Sequence, residues 1–376
     1  MAKRAGSGAK MRIIALPGDL AACGYYRVFA PLAALERAGW ADVYRPPVTK
    51  TGGKPQVYIK PSILRDFDIA VFQRQPEERI AQLFRAARAF GTKVVFDLDD
   101  DVFSVPPTSP AYIAFGRDWR KIGGLARCDS AEKAREAAER ARKNFDGLLR
   151  NLRLADLVSV STERLREVYG RFRDDIIVLP NQIEPRDWDG AISQPHPKPD
   201  DEVWIGWAGS KTHWVDLSEI AKPVREVLRR HHNTRLVIVG FPEAARLFEA
   251  VTSQVIVFDW MPLTEYRRVV AAFDIALATS APLQFNEAKS DVRVLEAALC
   301  GIPVVASETT YGNTVRAAGC GFVAKTPQKW IKYLGRLITN SDLRREMGER
   351  GRKYVLRERT YDANAWRWAE AYSAIL

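Results

Sequence analysis

Short apolar runs alternate with amphipathic helical segments twice along this chain, with one proline-rich interruption between the two series. Few folds accept that order. A strand followed by a helix and another strand returns right-handed onto the same parallel sheet. In the first series, Met11–Leu16, Ile69–Phe72, Lys93–Phe96, Leu157–Val160 and Ile176–Leu179 read as buried strands. Ala30–Arg37 and Glu77–Phe90 read as helices, closed by Gly39 and Gly91 in the usual C-terminal role. A long helix is predicted over Ser130–Leu154. Its Ala134, Ala138, Ala141, Phe145, Leu148 and Leu152 recur every three or four residues and make one buried stripe.

The interruption runs from Glu184 to Glu202 and carries Pro195, Pro197 and Pro199, the composition of a linker. Beyond it, strands fit Val203–Trp207, Leu236–Val239, Val255–Phe258, Ile275–Ala278 and Pro303–Ala306. Helices fit Leu217–Arg230, Thr264–Ala272, Val292–Leu299, Pro327–Thr339, Ser341–Arg357 and Tyr361–Leu376. The expected fold class is therefore α/β, two Rossmann-like domains facing a cleft. A length of 376 residues suits two such domains better than one. Residues 1–10 read as a disordered leader, 11–190 as the first domain and 202–360 as the second.

Composition narrows the partners. Hydrophobic residues at 47% with charged residues at 27% exclude a wholly disordered chain. The formal net charge is +11, and residues 1–150 hold 26 Lys+Arg against 17 Asp+Glu, which is +9. The excess fits either solvated, Arg-rich helix faces or an anionic partner: a phosphate-bearing substrate, nucleic acid or an acidic membrane surface. Cys23, Cys128, Cys300 and Cys320 show neither metal-ligand nor CxxC spacing, so no metal site is expected and a reducing cytoplasm fits best. No signal peptide and no transmembrane segment is read, and nothing in the sequence sets an oligomeric state.

The most informative stretch is Phe285-Asn286-Glu287-Ala288-Lys289-Ser290-Asp291, leading into Val292–Leu299 and then Cys300-Gly301-Ile302-Pro303-Val304-Val305-Ala306. Ser290 or Asp291 would cap a helix starting near Val292. Free backbone N–H groups there suit an anion such as a diphosphate, and Lys289 adds a point charge. Glu296, one to two turns on, could accept hydrogen bonds from ribose hydroxyls.

The run Glu296-Ala297-Ala298-Leu299-Cys300-Gly301-Ile302-Pro303-Val304-Val305-Ala306 resembles the donor-site motif of GT-B glycosyltransferases, the family-4-like, retaining group. Leu179-Pro180-Asn181-Gln182-Ile183-Glu184 is similar to that family's Pro-Asn-Gly-Ile-Asp segment. Ile205-Gly206-Trp207-Ala208-Gly209-Ser210-Lys211 is similar to its first donor-domain strand and loop. The resemblance implies a nucleotide-sugar donor, a UDP-sugar first, with no essential metal or other cofactor. By it, Glu296 would hold the donor ribose, and Lys289, Ser290 and Asp291 would meet the diphosphate and sugar. Gly209, Ser210 and Lys211 would form a second phosphate loop, His213 could approach phosphate or sugar, and Trp260 would lie near the nucleobase. It also implies that the 361–376 helix packs back on the first domain. The sequence departs from the family at Ala288, where the first of two acids is usual; Glu287 stands beside it. Gln182 replaces the usual Gly, and the histidines, His196, His213, His231 and His232, all lie from the linker onward.

Asp97-Leu98-Asp99-Asp100-Asp101 ends a buried strand, where open α/β sheets place their sites. The favoured reading takes Asp99 and Asp100, with Glu287, as acids facing the cleft, one helping to deprotonate an acceptor hydroxyl. The alternatives are a metal-binding D-x-D, as in GT-A enzymes, and the nucleophile and acid pair of a haloacid-dehalogenase-like phosphatase, Asp97 and Asp99. The loop Gly18–Gly24, with Tyr26 and Arg27 opening the next helix, reads as an acceptor or phosphate side contributed by Gly24, Tyr26 and Arg27. Arg117 to Arg153 holds 11 Lys+Arg and 6 Asp+Glu, close to Tyr112, Phe115 and Trp119. Cations interleaved with aromatics suit nucleic acid. A hydroxymethylated base in DNA is therefore the acceptor to test first, as in phage-type GT-B enzymes. Polysaccharide, lipid-linked, protein and small-molecule acceptors stand beside it, as does a GT-B-like binding protein without activity.

Overall fold

The structure is a computed structural model that describes residues 10–51, 54–109, 111–116 and 130–376. The leader expected over 1–10 lies outside the described residues except for Lys10. The chain divides into two compact units. The first comprises the chain up to Asp99, Lys143–Asn181 and Tyr361–Leu376. The second comprises Asp100–Arg142 and Gln182–Thr360.

Unit 1 is built on six parallel strands: β1 (Met11–Leu16), β2 (Ala41–Tyr44), β5 (Ile69–Gln73), β6 (Lys93–Leu98), β7 (Leu157–Val160) and β8 (Ile176–Val178). Their order is β2-β1-β5-β6-β7-β8. The short antiparallel pair β3 (Val48–Thr51) and β4 (Lys54–Val57) stands apart from this sheet. β1 and β5 are buried almost end to end, as expected of strands covered on both faces. The terminal helix, Tyr361–Ser373, is anchored in this unit. Buried Tyr361 donates its hydroxyl to the Tyr26 carbonyl, and Arg37 pairs with Asp362 at 2.7 Å.

Unit 2 also holds six parallel strands: β9 (Val203–Ala208), β10 (Thr234–Val239), β11 (Val255–Phe258), β12 (Ile275–Ala278), β13 (Val304–Ala306) and β14 (Gly321–Val323). The order is β11-β10-β9-β12-β13-β14. Chain direction across the sheet reverses between β9 and β12, the topological switch point at which Rossmann-type sheets bind ligands. Alternation along β9 sends Trp204 to one core, and Val203, Ile205 and Trp207 to the other. Gly206 faces the first core because a Cβ there would meet the Phe273 ring at 2.0 Å.

Three sequence expectations change. The segment Asp100–Arg142, read with the first domain, groups with unit 2. Val105, Tyr112, Ala137, Ala141 and Phe285 form one buried cluster there. The 184–202 linker is a packed element rather than a loose tether. It contains the helix Asp189–Ser193, buries Trp188, and sets that ring against Tyr266 at 6.5 Å. The helix expected over Leu217–Arg230 is two helices, Trp214–Ser218 and Ala221–Arg230.

Candidate active site

In unit 2 the loops that leave β9 and β12 open at the switch point. After β9 come Gly209, Ser210, Lys211 and the turn Lys211–His213. Gly209 has no room for a side chain: a Cβ would lie 2.7 Å from the Trp207 ring and 3.1 Å from Arg293 Nη2. Neighbouring Gly240 sits at φ +91°, in the left-handed region that favours glycine. Both positions at this corner therefore require glycine. Ser210 and Thr212 share a hydroxyl hydrogen bond of 2.7 Å, while Lys211 is exposed.

The two loops are tied through Asp216, which is 4% exposed. Its Oδ1 accepts from the Ala281 N–H at 2.8 Å and from Asn286 Nδ2 at 2.7 Å. Its Oδ2 meets His213 Nδ1 at 2.7 Å. Burial, then the Arg293 charge, push the His213 imidazole down to about 4, although Asp216 pulls the other way. The ring is neutral at pH 7 and donates its Nδ1 proton to Asp216.

The helix Val292–Leu299 supplies the second wall. Asp291 occupies its N-cap position, but its side chain does not cap. The carboxylate instead accepts from Arg359 at 2.7 and 2.9 Å and from Thr314 Oγ1 at 2.6 Å. The expected role of Asp291 as a side-chain cap is therefore corrected: stronger donors from elsewhere in the unit hold it. Ser290 lies half-buried beside it. Lys289 Nζ reaches Asp100 Oδ1 at 2.6 Å and sits 4.3 Å from the centre of the Phe285 ring. Arg293 lies over Trp207 at 6.0 Å, and its Nη1 is buried without a hydrogen-bond partner among the described residues. Glu296 is 5% exposed and accepts from the Tyr266 hydroxyl at 2.7 Å. Burial, then that carboxylate, push the Tyr266 phenol well up, so it remains a donor. Glu287 is exposed on the short helix Gln284–Glu287, and Trp260, just past β11, is 72% exposed.

Most of the candidates read around the first sheet are engaged within the protein. Arg27 does not face an acceptor. It is 2% exposed and grips Asp97 through two hydrogen bonds of 2.9 and 2.6 Å, also reaching the Leu179 carbonyl and Asn181. Asp97, inside β6, accepts from Ser159 as well. Both of its oxygens are committed in the interior, which removes it as a phosphatase nucleophile, since attack needs an accessible carboxylate. Tyr26 is buried too, and the Gly24 N–H is taken by Asp19 at 3.1 Å. Asp99 pairs with Arg74 at 3.2 Å, and Arg74 holds a positive φ of 39°. Buried Asp101 caps its own turn, accepting from the Phe103 N–H and Ser104. Of the aromatics read beside the basic stretch, Tyr112 is core, Phe115 packs against it, and Trp119 lies outside the described residues.

Lys289, Ser290, Asp291, Glu296 and the 209–213 loop, all expected from the sequence, lie in unit 2. Asp216, Asn286, Arg293 and Tyr266 join them without being expected. Two of these had a local signal: Asp216 follows His213 by three positions, and Arg293 precedes Glu296 by three, the spacing of neighbours on a helix face. Asn286 and Tyr266 had none, because only the folded chain brings them to Asp216 and Glu296. Among the described residues no cluster of His, Cys, Asp and Glu is suited to a metal ion, and no helix is long and apolar enough to cross a membrane.

Residues 219–370 match a protein-family model described as "Glycosyl transferase-like". No curated protein matches the sequence. Solved structures share its fold. Sucrose-phosphate synthase of Thermosynechococcus elongatus is 16% identical, with a TM-score of 0.60 over 97% of this chain and 98% of the other. Anabaena HepE, solved with UDP-glucose, is 13% identical with a TM-score of 0.61, over 97% and 100%. The catalytic domain of Arabidopsis thaliana starch synthase IV, bound to ADP and acarbose, is 11% identical with a TM-score of 0.60, over 98% and 99%. The fold is GT-B, and residues 219–370 are similar to glycosyltransferases.

Proposed function

We propose that the protein transfers a sugar from a nucleoside diphosphate sugar, a UDP-sugar first, to an acceptor hydroxyl, with retention and no essential metal. The observation that carries this reading is the cation pair at the start of helix Val292–Leu299. Lys289 and Arg293 stand at the switch point, with Glu296 three residues beyond Arg293 on the same helix. In this reading the two cations and the helix N-terminus offset charge on the leaving diphosphate. Glu296, oriented by Tyr266, takes the ribose hydroxyls, Gly209–Lys211 line the phosphates, and exposed Trp260 offers a face to the base. UDP-glucose in HepE supports uridine, while ADP in starch synthase IV marks adenine as the competing base.

Asp99, Asp100 and Glu287 are the acids proposed for the acceptor side. Asp100 is the best placed, since its partner Lys289 belongs to the donor loop. The acceptor proposed is a hydroxymethylated base in DNA, as for a phage-type enzyme working in the cytoplasm. The +9 balance of residues 1–150 supports it, as do exposed Lys133, Arg135, Arg140, Arg142 and Lys143 on the helix Ala131–Leu154. Polysaccharide, lipid-linked, protein and small-molecule acceptors are the other outcomes of the same assay.

Thermal-shift titration with UDP, ADP and their glucose conjugates tests the donor, since a ligand of the native state raises Tm. A rise that survives both Glu296→Ala and Lys289→Ala would refute the site. Transfer to duplex DNA with hydroxymethylated pyrimidine, followed by the anomeric configuration of the product, tests acceptor and stereochemistry.

A further inference from the structure

His213 and Asp216 form a buried dyad whose outer nitrogen has a definite chemical character. Nδ1 is engaged by Asp216 at 2.7 Å, and Asp216 is itself fixed by Ala281 N–H and Asn286 Nδ2. Asn286 also donates to the Ala281 carbonyl at 3.0 Å. Three segments thus converge on one carboxylate. An ionised Asp216 accepts only, so Nδ1 must carry the proton and Nε2 must present a lone pair. No described residue partners Nε2, and the His213 side chain is 17% exposed.

The charged groups felt by this ring are Asp216, beside it in sequence, Arg293 on the helix Val292–Leu299, and Lys289 in the loop before that helix. The two cations and burial hold the ring neutral. A neutral ring with an outward lone pair is a poor phosphate ligand, because phosphate oxygens are acceptors as well. It is a good partner for a hydroxyl, which can donate. Diphosphate has Lys289 and Arg293 for its charge. The ring beside them is suited to the sugar.

We propose that His213 accepts a hydrogen bond from a hydroxyl of the donor's sugar through Nε2, with Asp216 and Asn286 as the residues that position it. This rests on the donor reading above. It goes beyond that reading by assigning His213 to the sugar rather than the phosphates, and by giving Asp216 and Asn286 a role.

The test is calorimetric binding of UDP and UDP-glucose to the full chain, wild type and His213→Ala, His213→Gln and Asp216→Asn, with folding checked by Tm. The expected result is that His213→Ala weakens UDP-glucose about tenfold, as loss of one hydrogen bond at a buried site does, and leaves UDP within about twofold. His213→Gln should recover part of the loss, since its amide can both donate to Asp216 and accept from a hydroxyl. Asp216→Asn should lower UDP-glucose affinity selectively as well. The wild-type ratio of the two affinities should hold from pH 8 down to about pH 5. Equal loss of both ligands in His213→Ala would overturn the proposal, and so would no loss of either. A ratio that collapses near pH 6.5 would overturn it too. If wild-type protein binds neither of these nor ADP and ADP-glucose, the donor reading falls, and this one with it.

Discussion

Glu296, Asp216 and Arg27 are all buried charged residues, yet they answer to different demands. Arg27 and Asp97 pair in the interior of unit 1, each 3% exposed or less at the side chain. Removing one member strands the other charge away from water, so Asp97→Asn should cost about 3–5 kcal/mol in urea unfolding. A phosphatase would instead show a folded, inactive Asp97→Asn protein. Glu296→Gln keeps an acceptor for the Tyr266 hydroxyl and should leave stability within about 1 kcal/mol. It should weaken nucleotide binding roughly tenfold, because ribose hydroxyls bond a carboxylate more strongly than an amide. His213 gives the protein a pH signature. Its folded value of about 4 lies below the ordinary 6.5, so the unfolded chain takes up the proton first as pH falls. The stability this provides is present above pH 6.5 and is lost between 6.5 and 4, up to about 3 kcal/mol. Thermal melts across that window should show the loss in wild type, and His213→Gln should flatten the curve.

At the scale of elements, the helix Val292–Leu299 and its exit place the candidate site. Gly301 sits at φ +72°, where the chain turns toward β13. Its carbonyl lies where a Cβ on Gly348 would sit, so the helix Ser341–Glu358 packs directly on this turn. Gly348→Ala must push two backbones apart and should destabilise unit 2 by about 1–3 kcal/mol, read from its denaturation midpoint. Buried strands and long helices were legible in the sequence, since β1, β5, β6, β7 and β10 are nearly unbroken apolar runs. The edge strands β2 and β14 were not. Ala41–Tyr44 alternates buried with wetter positions, and Gly321–Val323 is short and only half-buried. Such segments gain strand character from the neighbour they pair with. The break between Trp214–Ser218 and Ala221–Arg230 was illegible for a related reason: both pieces keep helical periodicity while the chain bends to bring Asp216 under the site.

Across the molecule, the charge excess is the feature that bears on the acceptor. Some of its cations are spent internally: Arg27 is buried, Arg74 bridges Asp19 and Asp99, and Arg150 pairs with Glu78. Exposed Arg135, Arg140 and Arg142 remain on one helix among exposed Glu132, Glu136 and Glu139. If DNA docks there, its affinity should fall steeply with salt, and replacing those three arginines by serine should shallow the slope by about 3. An unchanged slope would exclude this helix as the docking surface.

By itself the sequence determined the alternation of strands and helices, hence two parallel sheets, because hydrophobic period and helix-ending glycines are local properties. It also marked the stretch from Lys289 to Pro303, whose cap, acid and turn are close in the chain. Only the tertiary structure decided which charges are available and which are consumed. Asp97 and Arg27 looked like site residues and neutralise each other. Asp291 looked like a helix cap and is held by Arg359. Asp216 showed only its spacing from His213 and joins two loops through Ala281 and Asn286. The physical reason is the same in each case: a charge leaves water only beside a partner, and those partners lie 70, 68 and 65–70 residues away.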